Sequence, residues 1–132
     1  TLETEKETIY QALMEAVGFE MKLNMERLSR AGIRADRLYA CGGGARSEGW
    51  LQIKTDILGI PICSLGDVQA GTMGCVMMAG VAGGIYRDLQ EAAACCVKEG
   101  KWFEPCRDRQ QAYQELYGKY TRLYQAVKEV LA

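Results

Sequence analysis

Residues 41–47 read Cys-Gly-Gly-Gly-Ala-Arg-Ser. Three successive glycines clear every side chain from a length of backbone on which a ligand's planar ring or phosphates could lie. A helix starting at Ser47 would add unsatisfied N–H groups at its first turn. The other account is a tight turn with close helix–strand packing, and composition alone leaves both open. Two standard glycine fingerprints are absent. A P-loop needs a lysine after its last glycine and none follows here, whereas a Rossmann turn wants a third glycine where Ser47 stands, although Asp67 is available as a ribose-binding acid. Asp56, on the helix capped at this segment, and Asp67, at a loop entry, are expected to be structural or solvated carboxylates rather than catalytic ones.

The rest of the composition narrows the chemistry. The 132 residues include no histidine, which removes His-based acid–base catalysis, Ser-His and Cys-His nucleophile pairs and His-rich metal sites. The six cysteines (41, 63, 75, 95, 96 and 106) form no C-x-x-C pair, so metal-ligand spacing is absent, and their apolar neighbours predict reduced, buried thiols in a cytoplasmic protein. Lys+Arg 16 against Asp+Glu 17 gives a net charge of −1 with both signs dispersed, which disfavours nucleic acid as a partner. Thr1 to Lys6 is polar with no apolar run after it, so no signal peptide is expected. Val68 to Tyr86 is uncharged, but its five glycines, Gln69 and Thr72 make it too weakly hydrophobic to span a membrane; it reads as a buried helix with close backbone packing.

These residues need elements to hold them. Thr4-Glu5-Lys6-Glu7 has the capping-box pattern and predicts a long first helix, with an inward stripe at Ile9, Tyr10, Leu13, Met14, Val17, Met21, Met25 and Leu28 and a stop at Gly32. Arg37–Cys41 reads as a buried strand that feeds the glycine turn. Ser47 is the expected N-cap of a helix that buries Trp50, Ile53 and Ile57, with Leu51 and Leu58 beside them, and is closed by Gly59 and Pro61. Ile60–Leu65 is then a second strand, so the unit is strand, helix, strand with a parallel pair and a right-handed crossover. Gly71–Ile85 is expected as a helix packed tightly on the sheet, and Asp88–Val97 as a shorter one. Asp108 is expected to cap a last helix whose inward stripe is Tyr113, Leu116, Tyr117, Tyr120, Leu123, Tyr124, Val127, Val130 and Leu131, which is core packing or an interface.

With these elements in order, a family resemblance emerges. Gly42–Ser47, then Trp50, Gln52 and Thr55-Asp56-Ile57-Leu58-Gly59-Ile60-Pro61, is similar to the C-terminal signature region of FGGY carbohydrate kinases, nearest in texture to xylulokinases. Tyr10–Glu15 resembles the family's preceding helix, Gly71-Thr72-Met73-Gly74-Cys75 its Gly-x-x-Gly-Ala element, and Tyr113–Tyr124 its closing tyrosine-rich helix. Four separated motifs in the right order cover nearly the whole chain. Two positions depart from the pattern: Gln69 stands where an acidic residue is expected before the Gly-x-x-Gly-Ala element, and Cys75 replaces its alanine.

The resemblance implies an α/β chain, the C-terminal part of an actin-like (ribonuclease H-like) ATPase domain with a parallel strand pair and packed helices. Residues 1–132 would be the C-terminal portion of the second of two kinase domains, with sugar and MgATP bound between them. On that mapping Gly42 makes the tight turn into the site, Gly43 and Gly44 lie against the adenine or ribose face, Ala45 lines it, and Ser47 hydrogen-bonds the adenine. Arg46 approaches the nucleotide or is solvated. The catalytic Asp, the phosphate-binding loop and the sugar contacts would precede Thr1, so the chain alone would be an inactive half-site for phosphoryl transfer from ATP, with Mg²⁺, to a ketopentose such as xylulose. Helices that lack their upstream strands predict self-association, and the family's dimerisation points the same way. The rival readings are a non-enzymatic α/β interaction module whose glycine turn is structural, and a dinucleotide-dependent oxidoreductase.

Overall fold

The structure is a computed structural model that describes residues 5–66 and 69–131. A 25-residue helix α1 (Lys6–Arg30) leads into β1 (Leu38–Ala40), a single 3₁₀ turn (Gly43–Ala45), α2 (Glu48–Leu58) and β2 (Ile62–Ser64). Then come α3 (Ala70–Ala82), α4 (Leu89–Cys96), β3 (Trp102–Phe103) and a 25-residue α5 (Arg107–Leu131). β1 and β2 are parallel, with Leu38 opposite Ile62 and Ala40 opposite Ser64, as the strand–helix–strand pattern requires. β3 adds an antiparallel strand on the other side of β2, Ile62 opposite Phe103, and makes the sheet mixed. Two residues are too few to show a period, so the sequence carries no signal for β3.

α2 is the centre of the molecule. One face puts Leu51 against Ile62 and Phe103 of the sheet, with Leu38, Ala40 and Leu58 around them. Its other face puts Ile57 against Phe19 of α1 and Tyr113 and Tyr117 of α5. An added Cβ on Gly18 would stand 2.6 Å from Ile57 Cδ1, so this glycine sets how closely α1 and α2 approach. α2 opens at Ser47, whose Oγ accepts the Trp50 N–H at 3.3 Å, and closes at Gly59, left-handed at φ 73°. α1 ends as expected at Gly32 (φ 85°), where Gly32 N–H donates to Ser29 and Ile33 N–H to Leu28.

Several sequence expectations are corrected. The N-cap of α1 is Glu5, without a side-chain cap bond, and Thr4 of the expected capping box lies outside the described residues. The buried residues of α1 are Gly18 and Phe19, whereas Ile9, Tyr10, Leu13, Val17 and Leu28 of the expected inward stripe are exposed. β1 is an edge strand with Tyr39 exposed, not a buried one. α3 packs chiefly on α4 rather than on the sheet, and most of its face is open. Close packing occurs at Gly80, where an added Cβ would meet the Tyr86 ring at 2.6 Å; Gly71 and Gly74 have nothing within 4 Å. α3 ends at Ala82 because Gly84 turns left-handed and Ile85 N–H returns to Gly80 O, which leaves Ile85 outside the helix. Asp108 lies within the first turn of α5, one residue after its start, and so does not cap it.

On α5, Tyr113 and Tyr117 are buried as expected, but Leu116, Leu123, Val127 and Val130 are exposed. All six cysteines are free thiols, yet of them Cys63 alone is buried; Cys41, Cys75 and Cys95 are exposed, because the elements that carry them face outward. Among the described residues no helix is long and apolar enough to cross a membrane.

Candidate functional site

The glycine turn leaves the C-terminal end of β1 and enters α2, so residues 42–47 sit in the crevice beyond the strand ends where open α/β sheets bind ligands. All five expected site residues, Gly42, Gly43, Gly44, Ala45 and Ser47, are in this one turn. Its shape is held by Ala45 N–H to Gly42 O at 3.0 Å and Arg46 N–H to Gly43 O at 3.2 Å.

The three glycines do different things. Gly42 adopts φ 80°, a left-handed conformation that disfavours any side chain. Gly44 lies under Trp50: an added Cβ would be 3.2 Å from the indole Cζ3. Gly43 has no such reason, since its φ is not positive and an added Cβ would find nothing within 4 Å. The fold therefore explains two of the three glycines by itself and leaves the face of the third open.

The Trp50 ring that backs Gly44 is held at its edge and on one face. Its Nε1–H donates to Met14 O of α1 at 3.3 Å, and Lys54 Nζ sits 3.7 Å above the ring centroid. Burial holds the Lys54 ammonium below its usual pKa range. Ala45 is buried, and its carbonyl accepts the Ser64 hydroxyl at 3.2 Å, while Ser64 Oγ itself accepts the Gly66 N–H at 3.2 Å. Ser64, at the end of β2, thus ties the turn to the neighbouring strand. On that side Ala45, Glu48, Ser64, Gly66 and Lys101 line a cavity of about 360 Å³, bridged at its rim by Lys101 Nζ to Glu48 Oε2 at 2.6 Å. Sequence reasoning missed Ser64 and Lys101. A polar residue closing the apolar run Ile60–Leu65 is a faint signal for Ser64; Lys101 carries none, because it arrives from the strand the sequence does not announce.

Glu48, in the first turn of α2, is ion-paired with Lys101 at 2.6 Å, so the two charges offset each other beside the positive helix end. Ser47 Oγ uses a lone pair on Trp50 N–H and keeps its own O–H for donation. Among the described residues no group of three His, Cys, Asp or Glu side chains could hold a metal ion.

Asp56 is structural. It is almost fully buried and accepts Gln52 Nε2 at 3.0 Å, Cys106 N–H at 2.8 Å and Arg109 Nε at 2.6 Å, which pins the start of α5 to α2. Asp67 lies outside the described residues.

Comparison with known proteins places the chain in a family. Residues 1–83 match the C-terminal domain of the FGGY family of carbohydrate kinases. The chain is 29% identical over 120 residues to a xylulose kinase of Bacillus subtilis, covering 91% of this chain and 24% of that protein. It is 34% identical over 130 residues to a ribulokinase of Anoxybacillus flavithermus, covering 94% and 23%. Its fold superposes on the crystal structure of a xylulose kinase from Rhodospirillum rubrum with TM-score 0.86 at 25% identity, over 98% of this chain and 26% of that one. The chain spans about a quarter of the length of the curated relatives it matches.

Proposed function

The chain belongs to the FGGY family of carbohydrate kinases, and on that premise we propose that it supplies the adenosine side of the nucleotide site in an ATP-dependent sugar kinase. The observation that carries this reading is Gly43, a glycine that neither backbone conformation nor packing requires. A planar base laid on the exposed peptide face of Gly43 and Gly44 is what such a position accommodates. Gly42 turns the chain under it, Ala45 closes the inner side, and the spare O–H of Ser47 donates to an acceptor on the base edge. The phosphates extend from the turn toward the part of the kinase that precedes this chain. The sugar, a ketopentose such as xylulose, and the carboxylate that accepts its proton belong to that other part as well. Mg²⁺ offsets phosphate charge in such transfers. The protein is read as a cytoplasmic homo-oligomer that acts on a metabolite rather than on nucleic acid or a membrane.

Two measurements test the reading. Backbone amide shifts of the labelled chain, titrated with MgATP, should move at Gly42–Ser47; weak binding is expected from half a site. In the full-length kinase, Gly43→Ala should raise KM for ATP several-fold with an unchanged melting temperature, because the new Cβ meets open space. An unchanged KM would make the glycine turn structural.

A further inference from the structure

Away from the glycine turn, the C-terminal half of α1 and the middle of α5 enclose a groove of about 620 Å³ whose lining includes Arg27, Arg30 and Arg122. Three guanidinium groups converge there in a chain whose net charge is −1. Each Arg presents five N–H donors in a planar fork. Arg27 gives one nitrogen to Asn24 Oδ1 at 3.3 Å and Arg122 gives its Nε to Gly118 O at 3.2 Å, which anchors these side chains and leaves further donors on each. Glu26 also lines the groove, but Lys22, four residues earlier, faces it and sets its Nζ 4.9 Å over the Tyr117 ring. Three arginines thus line the groove against one lining carboxylate, Glu26.

Tyr117 also lines this groove. The residue is 9% exposed, and its hydroxyl is buried with no hydrogen-bond partner among the described residues. Burial and the neighbouring Glu26 and Glu20 carboxylates favour the protonated phenol. A buried hydroxyl without a partner is unfavourable and uncommon in folded proteins. An oxyanion held by the three arginines would supply the missing acceptor.

We propose that the groove between α1 and α5 is a binding site for a phosphate monoester, with Arg27, Arg30 and Arg122 as the charge clamp and the Tyr117 hydroxyl as a buried donor. Arginine forks match phosphate oxygens two at a time, which suits them to this anion better than lysines would be. The groove is larger than phosphate alone fills, so a small polar body fits beside the anion, near Thr121.

The test uses the purified gene product that carries this chain, titrated by calorimetry at fixed ionic strength with inorganic phosphate and with a pentose 5-phosphate, alongside hydrogen exchange. Ligand should protect amides at 23–30 and 117–125, and the triple variant Arg27→Gln, Arg30→Gln, Arg122→Gln should weaken that site at least tenfold. Tighter binding of the pentose phosphate identifies a phosphorylated metabolite, and equal binding identifies free phosphate; both uphold the site. Tyr117→Phe keeps the question answerable if the triple variant folds poorly: it should leave the melting temperature of the free protein unchanged or higher while lowering affinity several-fold. No protection of these segments with either probe, or affinity unchanged in the variants, overturns the proposal.

Discussion

Asp56 shows how one carboxylate can organise a fold without touching a substrate. It sits at the end of α2, where Gln52, the Cys106 amide and Arg109 converge on its two oxygens. Truncating it strands these donors, so Asp56→Ala should lower stability by about 3 kcal/mol in urea unfolding. Arg109→Gln should cost much less, because Arg109 is half exposed and its partner keeps two other donors. An Asp56→Ala variant as stable as the parent would show that α5 docks without this anchor. The tyrosines make a second prediction at this scale. Burial, then the Glu15 carboxylate, pushes Tyr113 from about 10 up to about 12, and burial, then Glu26, does the same for Tyr117. Both folded-state values lie above the unfolded ones, so the stability they contribute is complete below pH 10 and is lost as pH rises through 12. Phenolate absorbance should show two tyrosines titrating late, with unfolding in the same window; Tyr113→Phe should flatten that loss.

At the level of elements, the contact of α1 with α2 depends on Gly18. Ala there adds a Cβ that only the end of Ile57 must evade, and it gains helix propensity, so Gly18→Ala should be nearly neutral. Gly18→Val has no such escape against a fully buried Ile57 and should cost roughly 1–3 kcal/mol of unfolding free energy. Equal stability of the two variants would mean that α1 can ride away from α2. This contact also explains why the periodicity of α1 pointed the wrong way. The apolar stripe through Ile9, Leu13 and Val17 is real, but α2 and α5 are met by Gly18 and Phe19 instead. Hydrophobic period reports that a helix has an apolar face and not what that face meets. The same holds for the outer half of α5, and for α3, whose small residues were expected against a sheet that lies elsewhere.

For the whole molecule, the consequence is a large uncovered apolar surface. Ile9, Leu13 and Val17 on α1, Leu116, Leu123 and Val127 on α5, and Val76 and Met78 on α3 are all exposed. Surfaces of this kind are rarely left bare in soluble monomers. The isolated chain should self-associate, with sedimentation at tens of micromolar showing species heavier than 14.6 kDa. A clean monomer of the isolated chain would mean that the exposed faces are tolerated as they stand.

Local chemistry was legible in the sequence wherever a residue's type fixes its backbone. Gly32 and Gly59 end helices, Ser47 starts one, and the glycine run joins strand to helix in the expected place, because φ limits and capping bonds act within a few residues. The parallel pairing of β1 and β2 followed from the helix between them, and the ordered motifs identified the family. What needed the tertiary structure was every contact between distant segments: the third strand, the anchoring of Asp56 by Cys106 and Arg109, the Ser64 tie to the turn, and the three arginines gathered from two helices about a hundred residues apart. The structure also separated Gly42 and Gly44, which the fold requires, from Gly43, which it does not. Only the atoms that surround each Cβ position decide that, and they come from elsewhere in the chain.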